Sequence, residues 1–189
     1  MYRLMFTMIL ALSFTAGAAQ AREFGGVQFD DSITVPGTTV PLQLNGVGYR
    51  TRFFFKIYIA ALYTGHAVAT RDDVIEQTGP KRVRMHFVYD EVEREKLVDA
   101  WSEGFEANTT KEQFDTLHER IERFNAMFPT VHKGDEVLLD VIPSEGTRVT
   151  INGEDKGMIQ GEDFAVALLD IWLGDEPADE NLKEALLGD

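Results

Sequence analysis

The sequence predicts an α+β domain: a mostly antiparallel sheet with its helices gathered on one face. Three observations carry this. Strand-like segments fill the first half of the chain, most cleanly at Lys81 to Tyr89. There Val83, Met85, Phe87 and Tyr89 fall on one side, and Arg82, Arg84 and His86 on the other. Two helix-period segments then follow one another instead of alternating singly with strands. Finally, Asn152-Gly153, the strongest short hairpin signal in the chain, joins two further strand segments ahead of the last apolar helical stretch. At 189 residues, with no internal repeat and no linker-like tract, the length suits one domain.

The chain begins with a cationic Met1-Tyr2-Arg3, an apolar Leu4 to Phe14 and an Ala19-Gln20-Ala21 site. That is the pattern of a secretory signal peptide over 1–21, cut between Ala21 and Arg22, which leaves 22–189 as the domain. The apolar run is shorter than the roughly 20 residues of a membrane span, so stable insertion after cleavage is not expected. The chain has no cysteine, hence no disulfide framework, thiolate metal site or lipid-anchoring thiol. The expected compartment is the bacterial periplasm.

Glu23 to Phe29 reads as a first short strand, and Val40 to Gly48 and Arg52 to Tyr63 as longer antiparallel neighbours. Asp72 to Gln77 is a short helical turn. From Val92 to Ala107, Leu97, Val98, Trp101 and Phe105 share one helical face. Thr109-Thr110-Lys111-Glu112 offers a capping box to a second helix, with Phe114, Leu117, Ile121, Phe124 and Phe128 at steps of three and four and Pro129 as its stop. Glu136 to Ile142 and Thr147 to Ile151 are strands around a Pro143 to Gly146 turn. Asp163 to Leu173 is an apolar helix carrying Phe164, Leu168, Ile171 and Trp172. Asp179 caps a last short helix that ends at Gly188. Trp101 and Trp172 read as core by periodicity.

Several chemistries are not expected. Loss of 1–21 removes one cation and no acid, moving the formal charge from −14 to −15, a balance against nucleic acid and anionic lipid surfaces. His66, His86, His118 and His132 lack zinc-ligand spacing. Gly46-Val47-Gly48 lacks the third glycine and following helix of a dinucleotide fingerprint. There is no P-loop and no G-x-S-x-G elbow. No cofactor and no metal are expected.

Leu42 to Gly65 is the most β-prone and aromatic run, yet it carries Arg50, Arg52 and Lys56. A cation in such a run pairs, reaches water or awaits an anion. If Arg50 to Tyr58 is extended without a bulge, Arg50, Arg52, Phe54, Lys56 and Tyr58 share one face, and Phe53, Phe55, Ile57 and Ile59 face the core. The mixed face suits an amphipathic anion. Arg50 would fork onto a carboxylate, Tyr58 would donate a hydrogen bond and Lys56 would assist. Structural pairing of Arg50 and Lys56 with this chain's own carboxylates is the alternative, and the sequence leaves it open.

Gly46-Val47-Gly48-Tyr49-Arg50, followed by Phe55-Lys56-Ile57-Tyr58 and Ile59 to Tyr63, resembles the signature of the chalcone isomerase-like superfamily. The end of the chain, Ile171-Trp172-Leu173-Gly174-Asp175-Glu176-Pro177 with Asn181 to Gly188, is similar to the end of the same superfamily, most of all its exported bacterial branch. The resemblance spans essentially the whole mature chain. It implies an open-faced β-sandwich, a large antiparallel sheet under a helical layer with a ligand cleft between them. In the plant enzymes the arginine matching Arg50 helps hold or polarise a flavonoid. In the fatty-acid-binding branch that arginine and the tyrosine matching Tyr58 hold a carboxylate. Tyr58 stands where the enzyme has threonine, and the enzyme's helical tyrosine and asparagine fall near Glu93 and Ala100, neither of which matches. The expected function is therefore carriage of a small amphipathic acid, such as a fatty acid. The alternatives are a cofactor-free isomerase or intramolecular lyase, using Arg50 as electrophile and Tyr58 as acid, and a module binding an envelope partner.

Overall fold

The computed structural model describes residues 21–188; the expected signal peptide lies outside them but for Ala21. The chain opens with a hairpin of β1 (Ala21–Phe24) and β2 (Val27–Asp30), then lays down β3 (Ser32–Thr34), β4 (Pro41–Arg52) and β5 (Phe55–Thr64). Helix α1 (Arg71–Glu76) precedes β6 (Lys81–Phe87). A two-residue β7 (Glu91–Val92) leads into α2 (Arg94–Asn108) and α3 (Lys111–Asn125), and β8 (Val131–His132) returns to pair with β7. Strands β9 (Glu136–Ile142), β10 (Gly146–Ile151) and β11 (Glu154–Ile159) form a meander, followed by α4 (Glu162–Leu173) and α5 (Glu180–Leu187).

Seven strands make one antiparallel sheet in the order β11-β10-β9-β6-β5-β4-β3. Its larger core lies under the helices, where Ala60, Leu62, Val83 and Met85 meet Trp101, Phe105, Phe124 and Trp172. The opposite face buries a smaller cluster of Phe29, Leu42, Val47, Ile59, Ala61 and Tyr63. β5 thus sends alternate side chains into two cores, which explains a run apolar at successive positions instead of every second one. This is the α+β arrangement expected, with the helices on one face.

Four details differ from the sequence reading. The first strand is two, because Gly25 and Gly26 turn the chain with φ of +61° and +80°. The second helix is capped by Thr110 with Gln113, one residue later than expected. That helix ends at Asn125, short of Pro129, and Phe128 is buried beyond it. Most consequential, Arg50 to Tyr58 is not one strand: the β4–β5 register shifts between Arg50 and Thr51, β4 stops at Arg52, and the chain turns at Phe53 and Phe54.

The glycines before Arg50 have a packing role. Helix α5 lies directly on β4, and a Cβ on Gly46 would stand 2.0 Å from the Ala185 carbonyl oxygen. One on Gly48 would stand 2.7 Å from the Ala185 Cβ. Just before them Asn45 donates to the Val68 and Leu186 carbonyls at 3.0 and 2.8 Å, pinning the end of α5. The G-x-G seats a helix.

Candidate functional site

Between the β4–β5 hairpin, β6 and α2 lies a cleft of about 530 Å³, within the range of small-ligand sites. Its floor and walls are mostly apolar, with Ile57, Met85, Phe87, Leu97, Trp101 and Ile171 among them. Arg50 and Tyr58 line it; Glu91, Glu103 and Glu176 lie exposed at its edge.

Arg50 and Tyr58 come together because they are register partners across β4 and β5, so their side chains leave the sheet on the same face. The sequence placed them together on a continuous strand; the pairing survives, and its cause is the hairpin. Lys56 parts from them. It pairs with Thr51, and its ammonium sits 3.8 Å from the centre of the Tyr49 ring on the face away from the cleft. The turn and bulge between Arg50 and Tyr58 break the parity that put all three side by side.

The guanidinium of Arg50 is held differently from those of Arg71, Arg82 and Arg120. Arg71 forks onto Asp170 at 2.7 and 2.8 Å, Arg82 is gripped by Asp140, and Arg120 forks onto Asp163 at 2.6 Å twice. Arg50 donates to the Thr51 carbonyl and stands 3.8 Å from Asp179 Oδ2, too long for a hydrogen bond. That Asp179 oxygen already accepts the Thr51 N–H at 2.8 Å, while Asp179 Oδ1 accepts from Leu182 at the start of α5. Asp179 therefore balances part of the Arg50 charge without occupying its fork, and the side chain of Arg50 keeps 20% exposure.

Tyr58 is buried, and its oxygen accepts a hydrogen bond from Trp172 Nε1 at 3.0 Å. Its own hydroxyl proton has no acceptor among the described residues. Burial pushes its pKa up to about 12, against smaller opposing effects of the Trp172 bond and the Arg50 charge. At neutral pH it is a fixed donor. Trp101 adds a second unused donor, since its buried Nε1 has no partner. Trp101 and Trp172 are core, as expected, and both also serve the cleft. Nothing local pointed to Asp179 beyond its capping role, because 128 residues separate it from Thr51.

Glu93 is the residue at the start of α2, paired with Lys96 at 2.7 Å, and Ala100 presents only a methyl group to the cleft. Neither offers a phenol or amide there. Among the described residues no group of three His, Asp or Glu side chains is placed to hold a metal, and no helix is long and apolar enough to cross a membrane.

Residues 21–188 match the family described as chalcone isomerase-like. No curated protein matches the chain in sequence. Among solved structures 38 chains match. One is the crystal structure of the Arabidopsis thaliana fatty-acid binding protein AtFAP1, at 16% identity and a TM-score of 0.66, over 89% of this chain and 96% of that one.

Proposed function

Since the chain belongs to the chalcone isomerase-like family, we propose that it binds a long-chain carboxylate, a fatty acid, in the cleft beneath α2. The observation that carries this is the Arg50 guanidinium, which no carboxylate forks onto, beside the unused Tyr58 hydroxyl in a mostly apolar cleft. The carboxylate accepts from Arg50 and Tyr58, and the acyl chain lies along Ile57, Met85, Phe87 and Leu97. The likeness in fold to the fatty-acid binding protein AtFAP1 supports the reading. The protein acts as a carrier in the periplasm, where its N-terminal segment directs it.

Calorimetric titration with palmitic acid and with palmityl alcohol tests this. The acid is expected to bind at least about tenfold more tightly, the worth of one charge-assisted bond. Equal affinities would remove Arg50 from the site.

A cofactor-free isomerase is the second reading. It is favoured by a cation and a firmly protonated phenol facing one space, an arrangement able to polarise a carbonyl and protonate an enolate. Turnover of an enone substrate that Tyr58→Phe abolishes would establish it; binding of the acid with no turnover leaves the carrier.

A further inference from the structure

The turn joining β4 to β5 carries three consecutive phenylalanines in water: Phe53, Phe54 and Phe55 are 85%, 96% and 57% exposed. Tyr89 stands edge-on to Phe55 with ring centres 5.7 Å apart and is itself exposed. Apart from Val40, these are all the large apolar side chains exposed among the described residues. The concentration at one tip is not incidental scatter.

The turn is also built against its own backbone. Phe53 adopts φ +56°, a conformation that suits glycine or asparagine and disfavours a bulky aromatic. The same chain solves the same problem between β10 and β11 with Asn152 and Gly153, at φ +51° and +80°. Ordinary turn chemistry was available to this sequence, and the β4–β5 tip forgoes it for aromatic surface. Arg52 and Lys56 flank the tip, and neither lies within ion-pair distance of a carboxylate among the described residues. In so acidic a protein, the tip is a small apolar and cationic pole.

We propose that this hairpin tip docks the protein onto a phospholipid bilayer. The rings of Phe53, Phe54 and Phe55 enter the interfacial zone, and Arg52 and Lys56 meet lipid phosphates. The charge of the whole chain disfavours adsorption of its body on an anionic surface, which leaves the tip as the point of contact. The occupant is a bilayer and not a folded protein because of size and shape. Three rings on a convex turn offer on the order of 500 Å², short of the ~800 Å² per partner of a stable protein interface. The patch also runs into the cleft, since Phe53, Phe55 and Tyr89 line it as well as facing water. Resting on the carrier reading above, the tip places the mouth of the cleft at the depth where fatty acids reside, so cargo passes between bilayer and cleft without crossing water.

The test is vesicle flotation of the protein without fatty acid, using phosphatidylcholine alone and phosphatidylcholine mixed with phosphatidylglycerol. Wild-type protein is expected to float with both. Phe54→Ser, which alters a side chain outside the cleft lining, is expected to partition at least about tenfold less. Its affinity for lauric acid in vesicle-free solution should be unchanged. Phe54→Trp is expected to shift its emission to the blue on vesicles and to be quenched by brominated lipid. Equal flotation of wild type and Phe54→Ser, or an unmoved Phe54→Trp emission, would overturn the docking. Uptake of lauric acid without flotation would overturn docking alone. Flotation without uptake would sustain docking and sink the carrier reading.

Discussion

Replacing Asp179 by asparagine separates a binding arginine from a structural one. Asp179 Oδ2 lies 3.8 Å from Arg50 Nη1, and its two oxygens accept from Thr51 and Leu182. Asparagine has one acceptor oxygen: it keeps the Leu182 cap that seats α5, and its NH2 group replaces the oxygen that the Thr51 N–H now uses. The change removes a negative charge that repels an incoming carboxylate across the guanidinium. At about 6 Å, in a partly wet site of effective dielectric about 60, that repulsion is about 1 kcal/mol. Asp179→Asn is therefore expected to tighten fatty-acid binding roughly fivefold. Losing the Thr51 hydrogen bond together with a long ion pair at a partly exposed arginine costs about 1–3 kcal/mol of stability. Paired titrations with palmitic acid and palmityl alcohol provide the assay, and the alcohol should be indifferent to the change. Weaker acid binding by a well-folded variant would mean that Asp179 organises Arg50 for the ligand instead of competing for it.

Other substitutions have equally definite outcomes. Arg50→Gln is expected to weaken palmitic acid binding by roughly 10- to 100-fold while leaving the thermal unfolding midpoint nearly unchanged, as a charge-assisted contact is lost from a side chain with little native pairing. Tyr58→Phe should weaken the acid about fivefold and destabilise the fold by about 1–3 kcal/mol, since Trp172 Nε1 loses its acceptor in a buried place; urea unfolding measures the second effect. Tyr58 titrates at about 12 in the folded chain against 10.0 when unperturbed, so its contribution is intact below pH 10 and is lost as pH rises through 12. Tyr63 has the same sign, and Tyr58→Phe should flatten the alkaline fall in stability without abolishing it. Gly46→Ala should cost about 3 kcal/mol or more, because a methyl group there meets backbone of α5 at 2.0 Å; circular dichroism during urea unfolding reads it.

Much of this architecture was legible because local signals agreed with the fold. The alternation of Val83, Met85 and Phe87 placed β6 with its correct face inward, and Asp179 and Gly188 marked both ends of α5. The Asn152-Gly153 pair marked its hairpin. The β4–β5 turn was hidden for the opposite reason: Phe53 and Phe54 are strand formers by propensity, and nothing local announces that the chain reverses there. That one reversal decides the site. It puts Tyr58 opposite Arg50 and sends Lys56 to Tyr49, a sorting that counting alternate residues cannot reproduce. The smaller second core was likewise unreadable, since a two-sided strand and a strand with one exceptionally apolar face have the same composition. The function of Gly46 and Gly48 depended on a helix about 140 residues away, a distance over which sequence pattern carries no contact information.

Native mass spectrometry of the protein isolated from its own host, beside Arg50→Ala, addresses the central claim most directly. One long-chain acid is expected to be retained per wild-type chain and lost from the variant. An empty wild-type cleft, or equal loading of the two proteins, would contradict it.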